Sequence, residues 1–139
     1  MLDILVHTHS GLRWILLLMM LYVIFSNQQT QKIKSINWPM MVFIIFTLQL
    51  ILGIILYFSS TAVSFESGFM KIARFRFFTV EHILGMVIAY HFVMIAFLKQ
   101  RKALPGSFNK KLRIYYGIAL LIILLSIPWP FRGFGNHWF

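Results

Sequence analysis

The chain has 139 residues, 60% of them hydrophobic and 12% charged, with a formal net charge of +10 and a mean hydropathy of +0.81. Soluble domains carry about 25% charged residues, so this composition excludes an ordinary soluble globule, and the length suits a single domain. The positive balance is not a nucleic-acid signature either, because the basic residues fall in short loops between apolar segments, which is the pattern of membrane topology.

Four apolar segments follow one another, each near the roughly 20 residues that cross a bilayer core. The first spans about residues 4–26, with Asp3 expected as its N-cap. No charged n-region or small-residue cleavage site precedes it, so it is expected to stay as a helix. The second spans about residues 39–58, with Pro39 suited to a first helical turn. The loop 59–78 is longer than a turn and mixes aromatics with cations. Its portion Gly68 to Phe78 reads as an amphipathic segment lying in the membrane interface, or as a snorkelling flank with aromatic-belt residues. The third apolar segment spans about residues 79–98. The fourth, about residues 112–127, stops at Pro128-Trp129-Pro130. The aromatic tail beyond it, which includes Arg132 and His137, suits an interfacial anchor folded over the end of the bundle.

Loop charges set the orientation. Lys32 and Lys34 lie between the first two segments, and Lys99, Arg101, Lys102, Lys110, Lys111 and Arg113 lie between the last two, with no acid among them. By the positive-inside rule these loops are cytoplasmic. The expected fold is therefore all-α, an integral membrane four-helix bundle with both termini on the periplasmic side of a bacterial inner membrane.

Two stretches place ionisable groups where a membrane helix enters the bilayer: His9-Ser10-Gly11-Leu12-Arg13-Trp14 and Glu81-His82. Polar residues at such depth mark functional sites by default. The first and third helices run in the same direction, which puts His9 and His82 at a similar depth. The chain contains no cysteine, so disulfides, iron–sulfur clusters, thiolate zinc sites and covalent haem attachment are excluded, and any haem or metal must be held by His, Met or carboxylate. A bis-histidine pair from two bundle helices suits a b-type haem, with His9 and His82 as axial ligands and metal donors. Arg13, Arg76 and Arg132 are candidates for pairing with its propionates. Gly85 and Ala89 share a face with His82, where small residues let a macrocycle or another backbone approach. Interfacial polar residues that only cap helices, or a transition metal held by His7, His9 and His82, are the competing readings.

Glu81 is expected to pair with Arg13 or Arg76, with proton acceptance beside a quinone or haem, or support of a histidine ligand, as alternatives. His91 falls about half a turn out of phase with His82, and a hydrogen bond to Tyr90, Gln49 or a backbone carbonyl is its expected role. Gln49 is expected to bond between helices, and Gly53 and Tyr57 continue its stripe toward the outside, where the three can line a crevice.

These stretches, together with Gln49, Gly53 and Tyr57-Phe58, Gly68-Phe69-Met70, Arg76-Phe77-Phe78-Thr79-Val80-Glu81-His82 and Ile127-Pro128-Trp129-Pro130-Phe131-Arg132, resemble a family of small bacterial four-helix membrane proteins described as cytochrome b-like. The resemblance covers nearly the whole chain. It implies a haem-bearing electron-transfer protein, with His9 and His82 as ligands by position and a quinol as a conceivable donor. The competing class is a cofactor-free accessory or assembly subunit of a larger membrane complex. The lipid bilayer is the expected surrounding, with a larger membrane complex or a homo-oligomer as expected partners.

Overall fold

In the computed structural model, which describes residues 2–26, 37–102 and 110–134, each apolar segment is a helix, and no strand occurs among the described residues. Helix α1 is Leu2–Phe25. Asp3 lies inside its first turn rather than at the cap, where a carboxylate still meets the positive end of the helix dipole. Helix α2, Trp38–Ser59, begins on Asn37, whose side-chain oxygen accepts from the Met40 N–H at 3.2 Å, and carries Pro39 in its first turn as expected.

Helix α3 runs from Ala73 to Arg101 and so starts earlier than the apolar run alone suggests. Gly68, at φ 87°, admits a short 3-10 turn over Phe69–Lys71, and Ala73–Arg76 then leads straight into a π turn over Phe77–Glu81. The stretch expected to lie in the interface is thus partly the first turn of α3. Helix α4 is Lys110–Ser126, and a 3-10 turn at Pro130–Arg132 follows it, ending on Gly133 at φ 73°.

Contacts between helices show that direction alternates along the chain. His9 meets Gly53 near one end of the α1–α2 pair, and Tyr22 meets Trp38 near the other. Tyr57 bonds the Thr79 carbonyl while Phe43 stacks on Phe97, so α2 and α3 are antiparallel. Gly85 lies against Ser126 and Phe92 near Tyr115, which orients α4 against α3. Helix α1 packs on α2 and α4, and α3 packs on α4 and α2, which makes α1 and α3 the diagonal pair of a four-helix bundle.

Met20, Val23, Phe46, Val93 and Tyr116 fill the centre, and Ala89, Ala96 and Ala119 let the backbones of α3 and α4 come close. The outer faces of the helices are also apolar: Leu18, Leu48, Ile51, Leu84, Leu121 and Leu125 are all exposed. A water-soluble bundle would carry charge there. Three helices, Leu2–Phe25, Trp38–Ser59 and Ala73–Arg101, are long and apolar enough to cross a membrane. The fourth has 17 residues, about 25 Å of helix. Lys32, Lys34 and His137 lie outside the described residues.

Candidate functional site

The diagonal arrangement decides the site. Because α1 and α3 face each other across the bundle, side chains on their inward faces converge without the two helices touching along their length. The rings of His9 and His82 come together there, with centroids 6.4 Å apart and planes at 73°. Both imidazoles lie level with the end of α4, since His82 bonds to its last residue, Ser126.

His82 is held from two directions. Its Nδ1 lies 2.6 Å from the Ser126 carbonyl oxygen. A carbonyl only accepts, so Nδ1 carries the proton and donates, which leaves the lone pair on Nε2. Phe77 and Phe78 pack on the same ring with centroids at 5.9 and 6.4 Å, and Phe134 closes over both phenyl groups. The π turn supplies this enclosure. By widening the helix to i→i+5 bonding just before His82, it presents two consecutive phenylalanines to the imidazole. The turn is itself anchored: Tyr57 donates to the Thr79 carbonyl at 3.0 Å, and the Thr79 hydroxyl accepts from Ser64 N–H and donates to Ser64 O.

His9 is held from α2. Its ring rests on Gly53, where an added Cβ would sit 3.2 Å from His9 Cε1, and its backbone carbonyl accepts from Gln49 Nε2 at 2.8 Å. Gln49 therefore bonds between helices as expected. Gly53 and Tyr57 make interhelical contacts too, Gly53 with His9 and Tyr57 with the Thr79 carbonyl.

The charged candidates divide. Arg76 Nε–H donates to Glu81 Oε1 at 2.8 Å, and Arg76 Nη1 donates to the Met70 carbonyl. Both partners of this ion pair are more than two-fifths exposed, so it braces the outer turn and does not reach the histidines. Arg132 lies over Phe77 at 5.0 Å, one ring removed from His82. Arg13, one turn beyond His9 on α1, stacks over Trp14 at 5.3 Å. Trp14 in turn meets Trp129, which ties α1 to the chain beyond α4.

Gly85 does not leave a slot beside His82. A Cβ there would collide with the Ser126 side chain, so this glycine serves close packing of α3 on α4. His7 is exposed and does not join the pair, and no group of three or more metal-ligating side chains forms among the described residues. His91 Nδ1–H donates to the Val87 carbonyl one turn back, at 2.8 Å, from an exposed face of α3.

The donor set fits a metal centre of the bis-imidazole kind. With ring centres 6.4 Å apart, the two imidazoles are close enough to share one metal ion through bonds of about 2 Å. The His82 Nδ1–H bond to a backbone carbonyl is the outer-shell bond that fixes a ligating histidine. Sequence reasoning missed Ser126, Phe134 and Ser64. The Ser126 contact is made by a main-chain oxygen, which leaves no trace in residue identity. Comparison of the chain with family models, with curated proteins and with solved structures gives no match.

Proposed function

We propose that this chain is a membrane-embedded b-type cytochrome or electron-transfer subunit, in which His9 and His82 would hold the haem near the periplasmic face. The observation that carries the reading is the meeting of two imidazoles from diagonal helices at 6.4 Å. In a bundle whose exterior is apolar, two inward histidines at one depth call for a function, because polar side chains are costly there. Haem b, when bound, supplies a one-electron couple.

The chain's own residues do the rest. Ser126 O holds His82 as the Nδ1–H tautomer and so turns the Nε2 lone pair into the ligand. Phe77, Phe78 and Phe134 exclude water from that imidazole. Arg132, stacked on the Phe77 that packs against His82, and Arg13, one turn beyond His9, are proposed to meet the acidic edge of the cofactor. Arg76 and Glu81 neutralise each other on the outer turn, so their part is to brace the start of α3. The loop cations, taken with the apolar exterior, support an inner-membrane protein with both termini outside. A quinol or a neighbouring redox subunit is the class of electron donor this position suits.

The test is the visible spectrum of the purified chain from haem-replete cells. A b-type Soret band that shifts on reduction is expected, and His9→Ala and His82→Ala are each expected to abolish it. A well-folded preparation with no such band overturns the reading. That outcome leaves the cofactor-free accessory subunit of a larger membrane complex as the alternative reading.

A further inference from the structure

The deepest polar residue of α2 carries a second message. Gln49 is 7% exposed, and its amide is oriented by one bond. The His9 carbonyl only accepts, so Gln49 Nε2–H faces it, at 2.8 Å, and the amide oxygen is turned aside. Gln49 Oε1 is buried and meets no donor among the described residues. On the facing helix, His9 Nδ1 is also buried and has no partner among the described residues.

The two atoms belong to residues that already touch. Gln49 already bonds the His9 main chain, and the His9 ring rests on Gly53, one turn along α2 from Gln49. A buried acceptor and a buried ring nitrogen are complementary when that nitrogen carries the proton. Buried polar groups in native proteins are almost always bonded, directly or through an ordered water. Arg13, the cation one turn further along α1, is a donor only and cannot receive the proton of an Nδ1–H.

We propose that Gln49 is the positioning residue of His9: its Oε1 takes the Nδ1–H of the imidazole, through a small turn of the ring or one bridging water, and holds His9 as the Nδ1–H tautomer. His9 then matches His82, whose Nδ1–H is held by the Ser126 carbonyl. Each ring then keeps its lone pair on Nε2, one set by a side-chain amide and the other by a main-chain oxygen. The consequence for electron transfer rests on the haem reading above; the tautomer does not.

The two are separated by one experiment in two arms. In the first, the full chain labelled with 15N-histidine in detergent micelles is read by long-range 1H–15N correlation, which shows which ring nitrogen carries the proton. His9 and His82 are both expected as Nδ1–H. In Gln49→Leu, His9 is expected to lose that preference while His82 keeps it, and the unchanged His82 signals report an intact fold. In Gln49→Glu, a neutral carboxyl can donate to the His9 carbonyl and accept from Nδ1–H, so the wild-type tautomer is expected to return. His9 found as Nε2–H in the wild type, or as Nδ1–H in Gln49→Leu, overturns the proposal. In the second arm, on haem-loaded protein, Gln49→Leu is expected to raise the midpoint potential at unchanged haem content, because an unsupported imidazole is a weaker donor. An unshifted potential at full loading overturns the role of Gln49, whereas a chain that takes up no haem overturns the cytochrome reading and leaves the first arm to decide.

Discussion

At the residue scale, glycines report what must come close. Gly53 and Gly85 both sit on inward faces, yet they serve different partners: Gly53 receives an imidazole ring, and Gly85 receives the side chain of Ser126. Gly85→Ala is therefore expected to overpack the α3–α4 contact and lower stability by about 1–3 kcal/mol. It also strains the His82 bond to the Ser126 carbonyl. Adding Ser126→Gly removes the colliding atoms, so the double variant is expected to regain most of the loss in a thermal melt in detergent. Equal melting temperatures for the single and double variants would refute the contact. The carboxylate beside His82 teaches the opposite lesson. Glu81 is adjacent in sequence but bonds Arg76 outside, so chain neighbourhood did not make it a partner of the histidine.

At the element scale, the π turn is the feature that joins the outer loop to the site. The i→i+5 bonding over Phe77–Glu81 widens the turn, and Tyr57 of α2 donates to its Thr79 carbonyl. The Thr79 hydroxyl then fastens Ser64 of the loop by two bonds. Tyr57→Phe deletes one neutral hydrogen bond and is expected to cost about 1 kcal/mol. Faster hydrogen exchange should appear at residues 60–68 and 77–81, measured by mass spectrometry, with the helix centres unchanged. Uniform exchange rates in wild type and variant would show that the bond does not hold the turn. A resting ion pair such as Arg76–Glu81, which is largely exposed, is the weaker brace of the two.

At the scale of the whole molecule, the apolar exterior and the loop cations make a claim about sidedness. The chain lacks cysteine, so single substitutions give clean reporters. Phe65→Cys, in the loop before α3, is expected to react with a membrane-impermeant maleimide on intact cells from which the outer barrier has been removed. Lys102→Cys, just past the end of α3, is expected to react only after the membrane is opened. The reverse pattern overturns the orientation, and equal labelling of both overturns the membrane-spanning arrangement.

Much of this architecture was legible in the sequence, because the length and apolar content of a segment are local properties that survive any packing. The four segments, Pro39 in the first turn of α2 and the stop before Pro128 follow from composition and steric rules within a few residues. Gln49 as an interhelical donor and His91 as a partner of a main-chain carbonyl follow from the cost of a bare polar group at such depth. The start of α3 was not legible, since the π turn lets a segment with three cations in six residues continue an apolar helix. Which helices stand diagonally also lies beyond any one segment: it depends on how four surfaces share small and large side chains, and only that sharing brings His9 to His82. The same holds for Ser126. Its bond to His82 uses a main-chain oxygen that every residue possesses, so tertiary structure alone selects it, by ending α4 level with the imidazole.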